Sequence, residues 1–190
     1  MQASIKIKAK QTADIIANCE VGEEAEKIIR PEMPPAETIG LLSDNCCFYD
    51  AVKILAHGLP KREAVWWACL ATRQAHTPET NEDNINALTA AETWVQKPTE
   101  EHRLEAFDRA NMTKFETPAS WAATAAYWSA GSIAPQGQPD VAPPEFLYAH
   151  AVAGCIALAA VAKDEQDPDA YYKQFIAQGM DLAAGGRGNI

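Results

Sequence analysis

Two adjacent cysteines, Cys46 and Cys47, four histidines and the vicinal tryptophans Trp66 and Trp67 are the side chains of this 190-residue sequence whose types and spacing could do chemistry. A thiol becomes a nucleophile where a helix N-terminus or a neighbouring base lowers its pKa. The apolar spacing around Cys46 and Cys47 puts both in the middle of a helix, away from the positive end of its dipole, so packing of one and partial exposure of the other are expected. Lys53 precedes His57 by one turn on a polar face, where a cation depresses the imidazole's basicity without orienting it as a carboxylate would. His57 therefore reads as a surface histidine near a helix end, and His76 and His102 stand in capping and polar contexts. His150, in "FLYAHAVAGC", sits on an otherwise apolar helix, where a core or edge histidine bonded to a carbonyl is expected.

Metal and cofactor chemistry finds little purchase. The five cysteines (Cys19, Cys46, Cys47, Cys69 and Cys155) contain no C-x-x-C pair and no His/Cys ligand spacing. A di-metal carboxylate bundle needs Glu-x-x-His pairs on facing helices, and none is in register. "GGRGNI" and "SAGSIAPQGQ" carry glycines but neither a Walker lysine nor a strand leading in, so no phosphate cradle is expected. The sequence assigns no catalytic residue, cofactor or metal.

The tryptophans carry the strongest signal. Neighbours on a helix diverge by roughly 100°, and one buried stripe does not hide two indoles, so one of Trp66 and Trp67 is expected at a rim. Rim aromatics anchor protein interfaces. Further on, Trp121, Ala125 and Trp128 share a face at i, i+4 and i+7 and are expected against the small residues Ala149, Ala153 and Ala157. Gly131 ends that helix, and Ser132 to Pro144 follows as a proline-stiffened connector of a length that is disproportionately functional in compact domains. Partner binding is accordingly placed on Trp66, Trp67, Arg62, Ser129, Ser132 and Pro135. The alternative is a small-molecule or catalytic pocket near Tyr148, His150 and Cys155.

The elements that position these residues read as helices throughout. A continuous amphipathic helix is predicted from Pro35 to His57, ended by Gly58 and Pro60. Another restarts at Pro60 with Val65, Ala68, Cys69 and Thr72 on one stripe. Asn81, Thr99 and Thr117 are the expected N-caps of the next three, with Ile85, Leu88, Ala91 and Val95 facing inward on the first and Leu104, Phe107 and Met112 on the second. Helices from Glu145 to Lys163 and through Tyr171, Phe175, Ile176 and Leu182 follow. The prediction is an all-α, single-domain bundle of about seven to eight helices: residues 1–34 form an arm with short helices, 35–185 the bundle, and 186–190 a fraying tail.

Composition narrows the partners. The formal net charge of -10 repels phosphate backbones, so nucleic acid is a poor partner. The short basic stretch "IKIKAK" reads as a solvated arm or edge strand. "AHAVAGCIALAAVA" is shorter than the ~20 residues that cross a bilayer, and the first residues lack the apolar run of a signal peptide. Unpaired thiols suit a reducing compartment, so a cytoplasmic location is expected. The expected partner is another protein, with a homodimer as a further possibility.

The segments "LPKREAVWWACLATR", "WAATAAYWSAGSIAP" and "VAPPEFLYAHAVAGCIALAA" resemble an uncharacterised bacterial family of unknown function that accompanies type VI secretion and related effector gene clusters. The resemblance covers roughly residues 55 to 185 and rests on Arg62, Glu63, Trp66, Trp67, Trp128, Ser129, Gly131, Ser132 and Pro135. It implies an accessory role in secretion and assigns no catalytic residue.

Overall fold

Proline and glycine punctuation divides the chain into helices much as the spacing predicts, with one break that it does not. The computed structural model describes residues 5–135, 137–164 and 166–189. Among these lie ten helices and no strand: α1 (Ala13–Ile16), α2 (Glu23–Ile28), α3 (Pro35–Asp44), α4 (Phe48–Gly58), α5 (Lys61–Ala75), α6 (Glu82–Gln96), α7 (Glu100–Met112), α8 (Pro118–Tyr127), α9 (Leu147–Lys163) and α10 (Asp169–Ala183). Eight of them are seven residues or longer, in one all-helical body.

Helices α5, α8 and α9 pack on one another at the centre; α6 and α7 cover α8, α4 covers α9, and α10 lies against α4, α5 and α9. Close approach is possible because α8 buries Ala119, Ala122, Ala123, Ala125 and Ala126, and α9 buries Ala149, Ala151, Ala153, Ala159 and Ala160. Trp121 of α8 and Trp128 at its C-cap stay half-buried, their rings 6.3 Å apart and edge-to-face, with Trp121 against Gly154 of α9. Trp67 is fully buried between α5 and α10. Its indole N–H donates to Phe175 O at 2.7 Å, and one turn along, Gly179 leaves the space its ring occupies: a Cβ there would stand 2.8 Å from the indole. Burying a side chain of this size contributes roughly 3 kcal/mol.

The helix predicted from Pro35 to His57 is two. Cys46 takes a left-handed conformation (φ 60°), Cys47 N–H donates to Leu42 O at 2.9 Å and Cys46 N–H to Ser43 O at 3.2 Å. These are the two bonds of a Schellman C-cap, here with cysteine where glycine is usual. Cys47 therefore stands at the N-cap of α4 and not mid-helix.

Predicted caps at Asn81, Thr99 and Thr117 are present, each side-chain oxygen accepting a backbone N–H, and Thr117 completes a capping box with Ser120. Two inward faces differ from expectation. Leu104 and Met112 of α7 and Ile85 of α6 are exposed. On α7 the buried residues are Arg103, Ala106 and Ala110. Turning Arg103 inward rotates Leu104 outward, since successive residues lie about 100° apart. Phe107 keeps an inner position by stacking on Tyr127 at 4.1 Å.

Residues near the two ends of the described chain dock together. Lys6 N–H donates to Ala183 O at 2.9 Å and Ile7 is buried, so the described 5–10 stretch lies against α10 and forms no strand, with Ile5, Lys8 and Lys10 exposed. At the other end α10 closes in a second Schellman cap, with Gly185 (φ 93°) donating to Leu182 O and Gly186 to Asp181 O. Gly188 then donates to the Asp181 carboxylate at 2.8 Å and is buried. Where the sequence predicts fraying, residues 185–189 fold back as a hook. No helix among the described residues is long and apolar enough to cross a membrane.

Candidate functional site

The docked ends build a groove beside the exposed side of α5. It encloses about 370 Å³ and is lined by Lys6 of the arm, Arg62, Glu63 and Trp66 of α5, Val95 at the end of α6, and Leu182, Gly186, Arg187 and Asn189. Trp66 is half-buried, and its indole N–H reaches Arg187 O at 3.5 Å. Trp66, Val95 and Leu182 supply apolar surface; the rim is charged. Lys6 and Glu63 form an ion pair at 3.1 Å. Arg62 donates through Nε to Val95 O at 2.6 Å and through Nη2 to Gln96 O at 3.4 Å, satisfying the last carbonyls of α6 where the helix dipole is negative.

The residues predicted for partner binding separate in space. Arg62 and Trp66 come together in this groove. Trp67 is wholly interior, because α10 lies over its side of α5, and it is not part of any surface. Ser129 is buried too, its hydroxyl donating to Ala125 O at 2.7 Å and its carbonyl accepting Lys61 Nζ at 3.1 Å. Ser132 and Pro135 belong to the connector.

That connector has a tied neck. Ile133 N–H donates to Val141 O at 2.8 Å, and the Ser132 hydroxyl accepts from Ala134 N–H and Val141 N–H at 3.1 and 3.0 Å. Beneath it lies Arg103, 1% exposed, which sequence reasoning missed because an arginine in the charged opening of a helix reads as solvated. Its guanidinium donates to both carboxylate oxygens of Glu100 (2.7 and 2.6 Å), to Tyr127 O and to Ser132 O (3.0 Å each), and lies over the Tyr127 ring. The Glu100 pair holds the guanidinium more basic and the carboxyl more acidic than usual. The neck is thus fixed while Pro135 and Val141 remain exposed.

The alternative pocket does not assemble. Cys155 is fully buried, with its sulfur 3.2 Å from both Thr72 Oγ1 and Pro118 O, and burial pushes its thiol up to about 12. Tyr148 is buried, donates to Leu59 O at 3.0 Å and is likewise raised to about 12 by desolvation. His150 instead points outward. The expected places of two histidines are exchanged: His57 is the buried one, 5% exposed, with Nδ1 2.8 Å from Lys53 O and His150's ring edge-on at 4.9 Å. Phe146, stacked at 5.6 Å, helps to cover it.

His150 lines a larger open groove of about 920 Å³ with Cys19, Tyr49, Lys53 and residues of the 16–31 segment. Its polar groups are engaged in stitching that segment to α4: Lys53 pairs with Asp50 at 2.8 Å and donates to Glu20 O at 2.7 Å, while Asp50 accepts Gly22 N–H at 2.9 Å. Burial holds the Cys19 thiol above its ordinary value. Cys47, although at a helix N-terminus, is also raised, first by desolvation and then by Asp50 and Glu24, which oppose the thiolate. Among the described residues no cluster of three or more His, Cys, Asp or Glu side chains could hold a metal ion.

A signal for the hook was present in "AAGGRGNI", whose paired glycines after a helical run spell a C-cap, but its partner surface was not legible. A comparison with protein families matches residues 38–183 to a model described as a family of unknown function (DUF6931). Neither the curated proteins nor the solved structures give a match to this chain.

Proposed function

We propose that this chain, which belongs to the DUF6931 family of unknown function, is a non-enzymatic accessory protein that binds another protein through the Trp66 groove. One observation carries the reading: a half-buried indole, on a floor shared with Val95 and Leu182, lies open beside charged side chains drawn from both ends of the chain. Aromatic anchors set in such surroundings are the residues that dominate interface energies. The connector of residues 132–144 supplies a second contact, its neck held by Arg103 and its apolar Val141 facing out. A setting among type VI secretion components rests on the resemblance of the three quoted segments alone.

Capture of partners by the full chain, identified by mass spectrometry, is compared with capture by Trp66→Ala and Trp66→Phe, with circular dichroism confirming that both variants fold. The expected result is loss of one specific partner with Trp66→Ala and retention with Trp66→Phe. Equal capture by all three counts against the reading.

A second reading, a small-molecule site in the groove beside His150, is favoured by that groove's size and by the exposed Tyr49 and His150 that line it. A ligand that raises Tm in the full chain but not in His150→Ala would support it.

A further inference from the structure

The Trp66 groove carries a charge pattern opposite to that of the chain as a whole. Three cations, Lys6, Arg62 and Arg187, line it against one carboxylate, Glu63, in a protein of formal net charge -10. Glu63 is already paired with Lys6. Asp181, behind the hook, accepts Gly188 N–H. The carbonyl end of α6, the other source of negative potential here, is covered by Arg62.

Arg187 is positioned by its neighbours. Gly188 has φ 73°, and a Cβ there would stand 2.5 Å from Leu70 Cδ1; one at Gly186 would collide with the Asp181 carboxylate. The left-handed backbone at Gly188 favours glycine there, in the turn that lays Arg187 O on the Trp66 indole and leaves Arg187 exposed. The hook therefore walls the groove and places Arg187, an exposed cation, among the residues that line it.

We infer that the occupant of this groove is an acidic segment of the partner protein, an apolar side chain seated on Trp66 and flanking carboxylates paired with Arg187 and the Arg62 edge. This rests on the protein-binding reading above and adds the partner's chemistry to it. A planar guanidinium fork suits carboxylates, and an apolar floor beside it lowers the local dielectric that would otherwise weaken the pairing. With Lys6 already paired to Glu63, a neutral or basic segment would leave Arg62 and Arg187 facing no carboxylate.

The test uses the full chain and short synthetic peptides with a central leucine or phenylalanine flanked by glutamates, alongside the same peptides with every glutamate replaced by glutamine. Calorimetric titration is expected to give acidic peptides at least about a fivefold advantage, shrinking as salt is raised. Arg187→Gln, which keeps the backbone contact to Trp66, should remove most of that advantage, and Trp66→Ala should weaken both peptide sets. Equal affinity for acidic and glutamine peptides, no effect of Arg187→Gln, or no binding of either set overturns the inference. Should the glutamine peptides bind as well and still depend on Trp66, the acidic partner is lost while the protein-binding groove survives. Binding that is independent of Trp66 removes both. Light scattering that finds a dimer abolished by Arg187→Gln would make a second copy of this chain the occupant and overturn the foreign partner.

Discussion

The Arg103 guanidinium lies so close to the backbone of Gly131 that a Cβ built on Gly131 would stand 2.5 Å from Nε. Gly131 also has φ 66°, so backbone conformation and space both exclude a side chain there. Together the two residues fix the neck of the 132–144 connector, and each predicts a measurable loss.

Gly131→Ala should destabilise the protein by about 1–3 kcal/mol, as expected where a left-handed position takes a side chain. Arg103→Ala should cost roughly 3 kcal/mol or more, because Tyr127 O and Ser132 O lose a buried donor and Tyr127 loses its covering cation. Glu100 is 58% exposed, so Glu100→Gln should cost less than Arg103→Ala. Urea unfolding orders the three; limited proteolysis should show faster cleavage within 132–144 in Arg103→Ala. Unchanged cleavage there would mean that Arg103 does not hold the neck.

The vicinal tryptophans should behave as opposites. Trp67→Ala is expected to cost about 3–5 kcal/mol, the range for removing a fully buried large aromatic. Trp66→Phe should lie within about 1 kcal/mol of the parent, since that ring is only partly covered. Thermal unfolding of the two variants decides the matter, and comparable losses would show that α10 does not distinguish them.

Gly179 tests the same contact from the other side. In a helix interior alanine ordinarily gains up to about 1 kcal/mol over glycine. Here the added Cβ would stand 2.7 Å from Leu55 Cδ2 and 2.8 Å from the Trp67 indole. Gly179→Ala should therefore destabilise by about 1–3 kcal/mol, as overpacking does. A rise in Tm would refute the packing of α10 on Trp67.

A pH effect follows from His57. Burial holds its imidazole below the 6.5 of an exposed histidine, with the Lys53 carbonyl opposing part of the shift and His150 and Lys53 adding to it. On acidification the unfolded chain takes up the proton first. The stabilisation is therefore complete above about pH 6.5 and is lost as pH falls from there through the folded value. His57→Gln lacks this contribution, so the Tm difference between parent and variant should narrow between about pH 7 and pH 5.5. A constant difference would show that His57 titrates alike in both states.

Much of the fold was legible because it depends on local rules. Asn81, Thr99 and Thr117 are read as caps from residue type and offset, and the small residues Ala149 and Ala153 of α9 are buried where close packing is expected of them. The stripe Val65, Ala68, Cys69 and Thr72 is buried as its spacing requires. The break at Cys46 escaped notice because a left-handed C-cap there uses cysteine, which carries none of glycine's signal.

Of the candidate site, the sequence determined that one of two adjacent indoles must come to a rim, since side chains 100° apart do not share one buried stripe. Which one was decided by α10, whose Gly179 opens a slot for Trp67 alone. Likewise, periodicity placed His57 outside and His150 inside; the chain reversed them because burial depends on which elements arrive from far away, here Phe146 and the start of α9. The groove itself joins Lys6, Trp66 and Arg187. Helical period and capping are encoded within a few residues, whereas contacts between the two ends of a chain exist only once the bundle between them has folded.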